Sequence, residues 1–579
     1  MKRCPTCNRV ENDDALAFCR VDGAPLVSDS GSIGNEAGTA RLGPRTEPDE
    51  LHTSILQHRT EPDIRRATGP TTALPMANDT TKKLRGTALR KILIVAGLAI
   101  LLTAIVIVGY SIGTKYIASG NKGIESVAVL PFENKSGNAD SEYLSDGLSE
   151  SLIYRLSQLP NLKVSPTSSV MRYKGKEIDP QKVAVELAVD AIMSGRMVQR
   201  GDNFTISVEL IDARTNKLLW GEQFERKMSE LLATQREIAT AISQKLQLKL
   251  SGDESRGLTK RYTNDNEAYQ LYLKGRFYWN RRTAETLQKA SEQFKAAADR
   301  DPAFALAYAG LADCYAVLST YAGKRAADTL PLARSNALKA IELDGSLAEP
   351  HATLIIVNHL EWKMTEAEAE AKRAIELDSN YATAHHWYSR VLRALGRSDE
   401  AWTEIKRANE LDPVSLVIIN NIAEQYIERG DPKAAAAECR RMIDLDPNFW
   451  AGHLTLGSAL VKQARYAEAL PEAQKALALS NRSNASLAFV GHVYGRLGKV
   501  AEAEVVIKEL QERYNNQQAD GRDLAVVYAG LDDKNQAFAW LEKAFAAHSN
   551  FLAILRLEPS LDPLKSDPHW LELLRRVGV

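Results

Sequence analysis

From Asp344 onward, apolar and small positions recur with a helical period, and the pattern restarts every 34 residues. Asp344, Asp378, Asp412 and Asp446 each close one helical stretch, and Ser480, Tyr514 and His548 hold the same place further on. That spacing is too long for a heptad and too regular for loops. It predicts stacked helix pairs that share apolar sides without one central core. Gly457, Leu460, Ala469 and Ala476 take the crossing positions of one unit, Gly491, Tyr494, Ala503 and Leu510 those of the next, and Ala525, Tyr528, Ala537 and Ala544 those of the third. Small side chains let paired helices approach, and the larger neighbour fills the gap. Counting back gives about eight units over residues 266–550, with a nine-residue excess placed in 319–328. A cap over 551–579 follows, with Trp570, Leu573 and Leu574 available to cover the last apolar face.

Residues 124–250 alternate in type instead. Ser126 to Phe132 reads as a buried strand, Glu142 to Leu159 as a helix, Leu162 to Thr167 as a short extended piece, and Pro180 as the start of a second helix. Three strands over 191–198, 204–211 and 217–224 and a helix over 228–250 complete a mixed sheet covered by helices. Ahead of this lies a charge-free run, Ile92 to Tyr110, whose 19 residues would rise about 28 Å as a helix, close to the roughly 30 Å of bilayer hydrocarbon. It predicts one transmembrane helix. Lys82, Lys83, Arg85, Arg90 and Lys91 precede it, against Lys115 and Lys122 after it, so the positive-inside bias places the N-terminus in the cytoplasm and the rest beyond a bacterial inner membrane. Residues 28–91, rich in Gly, Pro, Thr and Ser, are expected to be a disordered linker.

The first 27 residues carry Cys4-x2-Cys7 and, after eleven residues, Cys19-x2-Asp22. Two tight turns, each presenting ligands at this spacing, suit tetrahedral zinc, and so short a piece would draw its folding energy from the metal. Zn on Cys4, Cys7, Cys19 and Asp22 is the expected structural cofactor, with an unmetallated knuckle and redox thiols as the alternatives. The segment resembles a short bacterial zinc ribbon in which Asp22 replaces the fourth cysteine. The repeats resemble tetratricopeptide repeats. The phrases FENKSG, SDGLSESLIYRLSQLPNLKV and ISVELIDARTNKLLWGEQFER resemble the domain related to the amino-terminal part of the Tol-system protein TolB. The expected fold is therefore multidomain: a zinc-ribbon-like knuckle, one transmembrane helix, an α/β domain and an all-α tetratricopeptide solenoid.

Composition narrows the chemistry. With 73 basic and 74 acidic residues the net charge is -1, which argues against nucleic acid as a bulk partner. Cys314 and Cys439 stand alone in separate units and read as small apolar fillers. No Ser/His/Asp set, paired catalytic carboxylates or phosphate-cradling loop can be assembled, so no enzyme is expected. Tetratricopeptide arrays imply a protein or peptide ligand in the concave groove; Tyr388, Arg390, Asn420, Asn421 and Gln425 lie on first helices and read as ordinary surface rather than as assigned binding residues. The function expected is a membrane-anchored interaction scaffold of the bacterial envelope, with oligomerisation open. The alternative is a regulatory or ligand-sensing relative of one-component cyclase or kinase receptors.

Overall fold

A computed structural model describes residues 123–137, 141–248, 250–281, 283–321 and 324–579, and the backbone of three two-residue strands near the N-terminus. The chain divides into two units, Met1–Ala104 and Ile105–Val579. In the first, β1 (Lys2–Arg3) pairs antiparallel with both β2 (Val10–Glu11) and β3 (Val27–Ser28). Cys4, Cys7, Cys19 and Asp22 lie outside the described residues, as does the linker expected over 28–91 apart from Ser28.

The run Ile92 to Tyr110 also lies outside them, and among the described residues no helix is long and apolar enough to cross a membrane. The longest described helix, Ala326–Leu343, has 18 residues and carries Asp328, Arg334, Lys339 and Glu342. The single-pass inner-membrane reading, with its topology and its membrane partner, is corrected accordingly: no described element supplies the anchor.

The second unit opens with β4 (Ser126–Val129) and β5 (Glu133–Asn134), followed by α1 (Glu142–Ser157), β6 (Lys163–Val164), α2 (Thr167–Val170) and α3 (Pro180–Leu187). It continues through β7 (Ala191–Arg200), β8 (Asn203–Asp212), β9 (Lys217–Lys227), α4 (Leu231–Lys245) and α5 (Gly252–Thr259). The sheet runs β6-β4-β7-β8-β9, with β5 also on β7; the β4 and β5 pairings are parallel, and the two hairpins β7–β8 and β8–β9 antiparallel. The interior strand β4, apolar after Ser126, is wholly buried, whereas β8 alternates, as a strand with one wet face should. Where an extended run to Thr167 was expected, Pro166 instead starts the short helix α2, since its fixed backbone suits a helix entry.

Eight helix pairs follow: α6/α7 (Asn266–Trp279, Ala284–Arg300), α8/α9 (Ala305–Tyr321, Ala326–Leu343), α10/α11 (Glu349–Leu360, Met364–Leu377) and α12/α13 (Ala382–Ala394, Ser398–Leu411). The rest are α14/α15 (Leu416–Glu428, Pro432–Leu445), α16/α17 (Trp450–Lys462, Tyr466–Leu479), α18/α19 (Asn484–Arg496, Val500–Asn515) and α20/α21 (Gly521–Gly530, Lys534–Ala546). Successive first helices, the even-numbered ones, pack on one another and so take the inner side of the curve. The closest approach is α18 on α20, where a Cβ on Gly530 would stand 2.5 Å from the His492 carbonyl oxygen. Two 3₁₀ stretches, Asn550–Leu557 and Pro559–Leu564, lead to α22 (Pro568–Val577), which buries Trp570, Leu573 and Leu574. Cys314 and Cys439 are buried and form no disulfide among the described residues, and burial pushes the Cys439 thiol up to about 12.

Candidate docking faces of the repeat array

The aspartates that end the second helices do more than punctuate. Asp301, Asp344, Asp378 and Asp412 cap α7, α9, α11 and α13, which brings them to one edge of the array at the period of the repeat. The α/β domain is fastened along that edge. Thr263 donates to Asp301 at 2.5 Å, and Lys260 to Asp344 at 2.7 Å. Asn380, two residues after Asp378, donates to the Pro160 carbonyl at 3.2 Å. Ser168 donates to Asp412 at 3.1 Å, and Ser169 bonds the other oxygen of the same carboxylate. Burial raises the Asp412 pKa even though both serines stabilise its charge; Asp344, whose burial acts the same way, ends below its ordinary value because Lys260 and Ser346 outweigh it.

A second contact runs from α1 to the first inner helix. A Cβ on Gly147 would lie 2.9 Å from the Leu273 Cβ, so a glycine is what lets α1 approach α6 this closely. Arg276 on α6 donates from Nε to Glu150 on α1 at 2.6 Å, and Asn280 donates to the other Glu150 oxygen at 2.9 Å. Arg276 also faces Asp313 at 3.7 Å. Burial alone would lower the Arg276 pKa, but Glu150, Tyr272 and Asp313 outweigh it and hold the guanidinium charged.

Between repeats, the inner helices use polar side chains on each other. Thr353 donates to Asp313 at 2.6 Å, Gln425 to Ser389 at 2.9 Å and Thr455 to Asn420 at 2.8 Å. A histidine early in the first helix meets a glutamate of the second in three units: His351 with Glu370, His385 with Glu404 and His453 with Glu472, at 2.6, 2.6 and 2.7 Å. Adjacent His386 turns away to Asn421 at 2.8 Å, so the two neighbouring histidines form no chelate. Burial, then Arg390 and Arg393, depress His386 to about 3; His359 is lowered to about 3 by the same causes. Both are therefore neutral and insensitive to physiological pH. Arg393 is bonded by Asn421, Glu424 and Glu428. Tyr388 donates to Glu368 at 3.0 Å. Tyr388, Asn420, Asn421 and Gln425 thus hold repeats together, and of the five first-helix residues singled out only Arg390 makes no such bond, resting instead with its guanidinium 5.3 Å from the Trp387 ring centre.

The groove itself is not open along its length. The stretch 550–557 packs on α10 and α12, and 559–564 on α16 and α20, all of them inner helices. Trp362, just after α10, sets its ring 3.9 Å from that of His548 and donates to the Ser549 carbonyl at 3.2 Å. Asn550 donates to the Leu360 carbonyl at 2.8 Å. Ala553 shares a buried cluster with Met364 and Ala394, and Asp562 pairs with Lys462. The expected simple cap is therefore also a strap across the concave side.

In the α/β domain a hollow of about 360 Å³ lies between β9 and α4 and is lined by Glu222, Phe224, Arg236, Glu237, Thr240 and Gln244 among others. It has no nucleophile paired with a base. Among the described residues no three His, Cys, Asp or Glu side chains are grouped to hold a metal.

Residues 123–241 match the family described as HilA/YgeH-like transcriptional regulator, second domain, and this replaces the TolB-like expectation. Over 248 residues the chain is 32% identical to "Putative adenylate cyclase 3" of Rhizobium meliloti (strain 1021), covering 42% of each. Over 240 residues it is 24% identical to the transcriptional regulator HilA of Salmonella typhimurium (strain LT2), covering 40% of this chain and 41% of that one. The matched stretch thus spans about two-fifths of the length of these curated relatives. A solved structure of PilF from Pseudomonas aeruginosa is similar at 22% identity and a TM-score of 0.29, covering 38% of this chain and 94% of that one. Over the matched residues the fold resembles that regulator domain rather than a catalytic module.

Proposed function

We propose that this chain is a regulatory module that binds a protein partner, with the α/β domain and the tetratricopeptide-like array working as one body. The observation that carries the reading is the row of repeat-end aspartates engaged by residues 160–169 and 260–263 of the domain side. A repeat array used only as a passive scaffold has no need of a second domain fastened at four of its turns. The relatives add a separate support. One is named for a cyclase and the other for a transcriptional regulator, so a stretch shared with each fits a control element better than either output.

The reading is tested with the full chain. Asp412→Arg places a cation against Lys163 and should part the domain from the array while leaving the helix pairs folded. A partner retained by the wild type at fixed stoichiometry and lost by the variant, with unchanged helical circular dichroism, is the expected result. Equal retention by both would sink the one-body reading, and conversion of ATP to a cyclic nucleotide by the purified chain would sink the regulatory one.

A further inference from the structure

The strap over 550–564 differs in kind from the array it crosses. Pro559 and Pro563 interrupt it, and its turns are 3₁₀, whose hydrogen bonds are poorer than those of an α-helix and seldom sustain long runs. It cannot hold its form alone, so its order comes from what it packs on. Leu552, Leu555, Leu561 and Leu564 are fully buried, giving the spacing Leu-x2-Leu-x5-Leu-x2-Leu. Between and beside them stand polar anchors to the array: Arg556 with its guanidinium 3.6 Å from where a Cβ on Gly396 would sit, Glu558 paired with Arg522 at 3.1 Å, and Asp562 with Lys462. Its contacts reach residues 100 to 190 positions earlier in the chain. A short segment outside the helix pairs, lying on inner helices through Asn550, Ala553 and Asp562 and with its four leucines buried in one cluster with residues of α18 to α22, has the form of a bound peptide.

We propose that residues 550–564 are a resident pseudo-ligand, and that the inner face of α10, α12, α16 and α20 is a docking surface for a partner segment of the same chemistry: leucines at that spacing with an acid placed for Lys462. This rests on the partner-binding reading above and adds what the partner looks like and what guards the site. The segment is tethered at both ends, by α21 and α22, so its effective concentration at the face is high, and a partner must compete with it. Its displacement requires a local opening of the strap and not the melting of any helix pair.

The probe is a fluorescent peptide of residues 549–566, SNFLAILRLEPSLDPLKS, added to the full chain. In the variant Leu552→Asp/Leu561→Asp the strap is evicted, and the peptide should bind at least about tenfold tighter than to the wild type, a difference of one decade in Kd. The same peptide carrying both aspartates should bind neither. Equal binding to wild type and variant, or no binding to a variant whose helix content and cooperative melting match the wild type, would overturn the proposal. Hydrogen exchange on the wild type serves if the variant does not fold. Amides of 551–564 should exchange through an opening that leaves α10, α12, α16 and α20 protected. Exchange of those amides only on global unfolding would make the strap a fixed part of the core and refute the idea. Failure here leaves the Asp412→Arg partner-retention result untouched, so the two readings fail separately.

Discussion

Replacing Glu349 by Gln should remove a pH-dependent weakness from the junction of the α/β domain and the array. Glu349 opens α10, and its Oε2 is a buried atom without a hydrogen-bond partner. Burial raises its pKa from 4.5 to about 7; a bond from its own backbone amide pulls the other way, Asp378 and Asp313 push it further up, and Arg276 lowers it. Arg276 is already engaged by Glu150, which is why it cannot neutralise Glu349 as well. In the unfolded chain this carboxyl loses its proton near pH 4.5, while the folded chain keeps it to about 7. The native state thus binds more protons than the unfolded state within that window, and stability falls as pH rises through it and levels off above. Each tenfold change in proton affinity is worth about 1.4 kcal/mol, so the full effect is on the order of 3 kcal/mol, and about 1–3 kcal/mol after allowing for the partial solvent contact of the residue. Glu349→Gln should match the wild type near about pH 4 and exceed it by that amount near about pH 8. Asp378 and Asp146, both raised to about 6 chiefly by burial, leave a smaller decline in the variant. Urea midpoints measured across this range check the effect. Parallel pH profiles for the two proteins would show that Glu349 is not held neutral and would refute the argument.

Gly530→Ala would press a methyl group into the His492 backbone, which cannot step aside; a loss near about 3 kcal/mol, the upper part of the usual overpacking range, is expected in thermal melts, with Gly345→Ala as a tolerated control. Ser169→Ala strips the 3% exposed Asp412 carboxylate of a buried partner and should cost about 1–3 kcal/mol in chemical denaturation, whereas Ser168→Ala, at an exposed position, should cost less than about 0.5 kcal/mol. For the N-terminal knuckle, elemental analysis of the reduced full chain should find one zinc per chain, lost on Cys19→Ser; absence of metal from the wild type would remove that proposal.

The repeat was legible because a period is a local property. Helix ends at Asp344, Asp378, Asp412 and Asp446, and crossing glycines such as Gly457 under Phe489, follow from what each pair of helices requires of its own residues. Tyr514 was a poorer marker, since α19 runs one residue past it to Asn515. What stayed hidden was pairing at long range. Nothing near Asp412 announces Ser168 and Ser169, 244 and 243 positions away, and nothing in 551–579 distinguishes a cap from a strap. The same limit applies to Asn421 and Gln425, expected as ordinary surface of a first helix: they are buried, because an inner helix also faces its neighbours, and their amides bond to His386 and Ser389 across that gap. The membrane reading rested on one apolar run, and hydropathy reports what a segment could do in lipid without reporting where it is.

The two fastenings meet on one helix. At the N-terminal side of α12, Asn380 reaches Pro160 of the α/β domain; at its C-terminal side, Ala394 packs with Ala553 and Gly396 lies under Arg556 of the strap. Thirteen residues of helix make a rod of about 20 Å between them. It is held to both neighbours, through Tyr388 to Glu368 of α11 and through Ser389 and Arg393 to Gln425, Glu424 and Glu428 of α14. A shift at one end of such a rod is passed to the other rather than absorbed in side-chain play, because packed interiors change between discrete arrangements and compress little. On the docking proposal above, a partner that displaces the strap should therefore respond to the state of the domain contact, and by linkage the domain contact should bias the strap in equal measure.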